Sequence, residues 1–142
     1  MRTLLALFIL ATPTQAWEFT PGLPCRLSHE TNDARIELTY DPTQPLYSIT
    51  VTRPAPWPDA PGFAMRFDGP KPIAIGTDRH VLSEDGTALS VTDSGFGNVL
   101  NGLQYNHNAT ALAGDVEVNF PLDRAAEPVA AFRACERAAP TS

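Results

Sequence analysis

From Cys25 to Phe120 the chain alternates apolar and polar residues with a period of two, the pattern of strands buried on one face. Cys25, Leu27 and His29 share one face of a first run, and Thr31-Asn32-Asp33 supplies a turn. Ile36, Leu38 and Tyr40 then point one way while Arg35, Glu37 and Thr39 point the other, so the two runs predict an antiparallel hairpin. After a break at Asp41 to Pro45, Tyr47, Ile49 and Val51 form the inward face of a third strand. Phe63, Met65 and Phe67 mark a fourth; shorter runs follow around Ile73 and Ile75, at His80 to Ser83, and at Leu89 and Val91. Asn98 to Leu103 predicts one helical turn, and the polar stretch Gln104 to Asn108 is expected at the surface. Thr110 to Leu112 is ambiguous, whereas Val116, Val118 and Phe120 alternate cleanly. Ala125 to Ala134 is alanine-rich and predicts a closing helix, with Asp123 as a candidate cap and Val129, Phe132 and Cys135 along its buried stripe. Pro128 fits only in the first turn, so that helix starts close to it. About eight short strands separated by turn signals predict a mainly β fold: a small antiparallel β-sandwich or barrel with a short C-terminal helix.

The N-terminal residues break the alternation. Arg2 precedes an apolar run, Leu4 to Ala11, and Thr14-Gln15-Ala16 offers the small residues that a signal peptidase reads. A membrane span needs about 20 apolar residues, and Pro13, Thr14 and Gln15 end this run well short of that. Residues 1–16 are therefore read as a signal peptide and residues 17–142 as a single β-rich domain with no transmembrane segment. An exported chain with two cysteines predicts one disulfide, Cys25–Cys135, which would pin the closing helix to the first strand.

Removing residues 1–16 from the 142 leaves 126, enough for one real core. The removed part carries one arginine and no acid, so 9 basic residues face 16 acidic ones, a net charge of −7. Lys71 is the only lysine and the arginines are scattered. Nucleic-acid binding needs clustered phosphate-neutralising cations, so that class is set aside. The alanine- and proline-rich, lysine-poor composition fits a GC-rich bacterial genome, which makes the periplasm the expected destination.

Candidate chemistry is sparse. Ser94 lies in Asp93-Ser94-Gly95-Phe96-Gly97, which lacks the first glycine of a nucleophile elbow. His29, His80 and His107 are far apart in sequence and form no helical metal pair. No phosphate-cradling loop is present, and Glu84-Asp85-Gly86 lacks the repeated acids of a calcium loop, so it reads as a turn. No cofactor and no metal are expected. Arg53 to Gly62 contains four prolines and is expected to be an extended surface loop. Within it Trp57 either caps one end of the core or, with Arg53, stands out as a preorganised anchor for a partner. Phe96, in its glycine loop, poses the same choice.

The segments Trp17-Glu18-Phe19, Cys25-Arg26-Leu27, Thr92 to Leu100 (TDSGFGNVL) and Phe132-Arg133-Ala134-Cys135 resemble those of a group of short exported proteins of alphaproteobacteria. Some proteins of that group are labelled as a component of the ABC excinuclease, a DNA-repair activity that needs a phosphate loop and a cytoplasmic address. The ending from Leu112-Ala113-Gly114 through the closing helix is similar to the invasion-associated locus B family of periplasmic β proteins. That similarity implies an envelope role and brings no catalytic residues with it. The expectation is an exported, non-enzymatic domain that binds a periplasmic or envelope protein through Arg53, Trp57 or Phe96. Two alternatives stand beside it: an inhibitor of a lysozyme or protease, and a hydrolase whose site the fold assembles from Ser94, His80 and Asp78.

Overall fold

The computed structural model describes residues 16–137, so of the expected signal peptide only Ala16 lies among the described residues. Ten strands and two helices are found there, in the order β1 (Glu18–Thr20), β2 (Cys25–Glu30), β3 (Arg35–Asp41), β4 (Leu46–Thr52), β5 (Phe63–Asp68), β6 (Ile73–Thr77), β7 (Val81–Leu82), β8 (Ala88–Asp93), α1 (Gly97–Tyr105), β9 (Asn108–Ala113), β10 (Val116–Pro121) and α2 (Ala126–Arg137). They build two fully antiparallel sheets, ordered β1-β2-β3-β4-β8-β7 and β10-β9-β5-β6. The inner faces share one hydrophobic core, so the architecture is a β-sandwich.

The period-two pattern sets the register. Across the six-stranded sheet, Leu27 pairs with Leu38, Leu38 with Ile49 and Ile49 with Val91, giving one continuous inward row. A one-residue slip would turn that whole row to solvent. The opposite face is polar; its neighbours include Thr50 and Ser90, whose hydroxyls are 2.9 Å apart. In the four-stranded sheet the central strand β9 contributes only alanines inward, Ala109, Ala111 and Ala113, each set between larger residues on β5 and β10.

The two helices pack on each other and on opposite sheets, and so occupy part of the space between them. α1 sits against β5, β6 and β9, with Leu100 and Leu103 buried. Gly102 comes so close to the Phe67 ring that a Cβ there would overlap it, so only glycine admits this approach. α2 covers β1 and β2, and its Phe132 meets Tyr47 on β4. Cys135 of α2 is bonded to Cys25 of β2 across a sequence separation of 110 residues.

Several local expectations are corrected. The predicted helical turn at Asn98 to Leu103 is a nine-residue helix, and the strand at His80 to Ser83 shrinks to Val81–Leu82. The lead-in before Cys25 contains β1, paired with β2. Gln104 to Asn108 is not uniformly exposed. Asn106 is buried because its side chain replaces missing backbone partners: it accepts from Lys71 N and donates to the carbonyls of Lys71 and Gly102.

One lateral side of the sandwich is closed by Trp17. Its indole Nε1 donates to Pro121 O at the end of β10 (2.8 Å), and its ring stacks on His29 (4.9 Å between centroids). Burial of His29 holds its imidazole below the ordinary value of 6.5, only partly offset by a hydrogen bond to the Ala16 backbone. As pH falls through 6.5 the unfolded chain binds this proton first, so stability is full above 6.5 and declines on acidification toward the lower folded value. Melting temperatures compared between about pH 7 and about pH 5 should therefore fall less steeply for His29→Phe than for the wild type. Parallel slopes would show that His29 is not the group responsible.

Candidate functional site

On the other lateral side the two sheets do not close. β7 pairs with β8 only at Ser90 and Leu89, so Val91 to Asp93 have no strand beyond them, and β6 is the free edge of the opposite sheet. A cleft of about 470 Å³ remains between the sheets here, with the start of α1 at one end of it. Its walls are apolar: Ile49 and Val91 from the six-stranded sheet face Phe63, Met65 and Ile75 from the four-stranded one, with Phe96 and Val99 at the start of α1. Polar groups gather at one end of it: Thr77 and Asp93 are the last residues of β6 and β8, Arg79 follows β6, and Asn98 lies in the first turn of α1. Apolar walls, a few convergent polar groups and this volume are what a small-ligand site requires.

Arg79, in the β6–β7 connection, reaches across to Asp93 at the end of β8, with Nη2 3.1 Å from Oδ2. The Arg79 side chain is 69% exposed, so the pair is a light strap. The other Asp93 oxygen accepts from Ser94 N at 2.6 Å. Hydrogen bonding from the Ser94 backbone, with the Arg79 charge and a bond from Gly95 N adding to it, holds the Asp93 carboxyl below its usual value. Beyond this rim α1 begins without a side-chain cap and without an acid in its first turn. Gly95 and Gly97, either side of Phe96, face open space: a Cβ at either would meet nothing within 4 Å.

The sequence-predicted site residues fall differently. Trp57 is 4% exposed and cannot insert into a partner. Its indole donates to Val51 O (3.0 Å), its ring meets Phe63 edge-on, and the Arg53 guanidinium lies 5.2 Å from the ring centroid while bonding Pro56 O. Of the two roles open to Trp57, capping the core is the one the fold adopts. The proline loop bends back because a buried indole needs both apolar neighbours and an acceptor for its N–H. Phe96 is also buried, at 5%, stacked on Tyr47. It is no protruding anchor, yet it does line the cleft. The Cys25–Cys135 bond is present.

The assembled-triad arrangement is not formed. His80 Nε2 is paired with Ala60 O (3.1 Å), and the Ser94 hydroxyl lies by Asp93, with no hydrogen bond joining Ser94, His80 and Asp78. Among the described residues no group of three or more His, Cys, Asp or Glu side chains could hold a metal ion. Asp85 closes its own turn, accepting from the Ser83 hydroxyl and from Thr87. Among the described residues no helix is long and apolar enough to cross a membrane.

The residues that matter most here, Ile49, Val91, Met65 and Ile75, read in the sequence as ordinary inward strand positions. An apolar residue facing a cleft has the same period-two signature as one facing the opposite sheet. Comparison with protein-family models, with curated proteins and with solved structures finds no match.

Proposed function

We propose that this is an exported, periplasmic and non-enzymatic binding domain that holds a small, largely apolar ligand in the cleft between its two sheets. The observation that carries the proposal is the cleft: about 470 Å³ between β4 and β8 on one side and β5 and β6 on the other, apolar within and polar at its rim. The disulfide is in keeping with an oxidising compartment, and the signal-like N-terminus gives the same direction. The alternative of a lysozyme or protease inhibitor loses Trp57 as its plug, because that ring is buried, and would rest on the exposed Ser94–Gly97 loop.

Ile75 offers the cleanest test. It lies on the edge strand β6, only partly buried, and lines the cleft. Ile75→Trp adds volume into the opening while keeping a residue that strands tolerate. Titration with the neutral fluorophore N-phenylnaphthylamine should give saturable binding to the wild type. The variant should bind about tenfold more weakly, with its melting temperature nearly unchanged. Equal affinities in the two proteins, or no saturable binding to the wild type, would refute the site.

A further inference from the structure

At the rim of the cleft Arg79 is paired with Asp93 and keeps N–H donors to spare. We propose that the ligand is a single-chain monocarboxylate amphiphile whose apolar body fills the cleft and whose carboxylate is held by Arg79; this deepens the binding reading above and rests on it. Among the described residues the one side-chain bond that Arg79 makes is from Nη2 to Asp93, which leaves most of the five guanidinium N–H donors for a ligand. Both Asp93 oxygens are already in use, one by Arg79 and the other by the Ser94 amide. The first-turn amides of α1, at Gly97, Asn98 and Val99, lack intrahelical acceptors and have no side-chain cap. Gly97, Asn98 and Val99 all line the same cleft as Arg79. Spare donors therefore belong to residues that line the opening, and the carboxylate beside them is already engaged by Arg79 and the Ser94 amide.

Three head groups fare differently against that rim. A carboxylate gains charge-assisted bonds from Arg79, with the option of two parallel N–H···O contacts. An alcohol fits the same apolar walls and gains no ionic contact. A quaternary ammonium meets Arg79 as a like charge and must compete with it for Asp93. The acidic chain as a whole, net −6, makes a locally anion-accepting opening a departure from the general charge. The apolar interior has space for one chain, so the ligand committed to here is a free acid of medium length.

Calorimetric titration of the disulfide-intact protein with decanoate, decanol and decyltrimethylammonium, each kept below its micelle concentration, tests this. Decanoate should bind about tenfold or more tightly than decanol, and decyltrimethylammonium most weakly. Arg79→Gln should bring decanoate down to the affinity of decanol, leave decanol unchanged and leave the melting temperature unchanged. If all three bind alike, or if Arg79→Gln weakens decanol as much as decanoate, the head-group assignment is overturned while the cleft remains a binding site. If none binds, the cleft reading falls and this proposal falls with it.

Discussion

Replacing both cysteines with serine should cost a large share of the stability of this domain. The Cys25–Cys135 bond closes a loop with a sequence separation of 110 residues. For a loop of about 100 residues, restriction of the unfolded chain alone contributes about 4.7 kcal/mol. A domain of this kind has about 5–15 kcal/mol in total. The bond also fixes α2, whose Phe132 touches Tyr47, and Tyr47 in turn stacks on Phe96 in the wall of the cleft. The double variant is therefore expected to unfold at a much lower urea concentration and to lose affinity for apolar probes before it unfolds. Urea titration monitored by tryptophan fluorescence, against the oxidised wild type, makes the comparison. Coincident midpoints would mean that the bridge is incidental.

Trp57→Ala is the second large effect, and it should be a folding defect. Truncating a buried aromatic costs about 3–5 kcal/mol. Here it also removes the donor to Val51 O, the edge contact with Phe63 and the ring beneath Arg53. Trp57→Phe keeps much of the packing and loses the indole hydrogen bond, a change of about 1 kcal/mol. Denaturant unfolding of the three proteins should rank them wild type, Phe, Ala, with a wide final gap. An alanine variant within about 1 kcal/mol of wild type would contradict the capping role. Because Trp57 is structural, partner loss in Trp57→Ala would report unfolding; Ile75 and Arg79 are the positions that separate binding from folding.

The β-sandwich was legible in the sequence because Ile36, Leu38 and Tyr40, or Tyr47, Ile49 and Val51, alternate strictly with polar neighbours. Each such run has only one face it can bury. The closing helix and its disulfide were legible for similar reasons: an alanine-rich run ending at the second of two cysteines. Edge elements were less so. β1 and β7 are short, and their existence depends on which neighbour offers a free backbone edge. α1 extends past the predicted turn to Tyr105, and its seating through Gly102 against Phe67 and through Asn106 against Lys71 is a tertiary fact that no local pattern encodes. The proline loop left Trp57 open between capping the core and binding a partner, because stiffness and an aromatic look the same whether the ring points out or in. The cleft left no mark at all. It lies where β8 outruns its short partner β7 beside the edge strand β6, a consequence of pairing between distant segments, and Arg79, on its rim, stood in the sequence as one arginine among scattered others.

The central claim is that the inter-sheet cleft binds the ligand, and amide chemical shifts of the ¹⁵N-labelled, disulfide-intact protein titrated with decanoate test it most directly. Occupancy of the cleft predicts saturable shifts confined to its walls and rim, namely Ile49, Phe63, Met65, Ile75–Thr77, Arg79 and the segment from Val91 to Val99, with residues on the polar outer face, such as Thr50 and Ser90, unmoved. Shifts centred on that outer face, or no saturable shift anywhere, would contradict it.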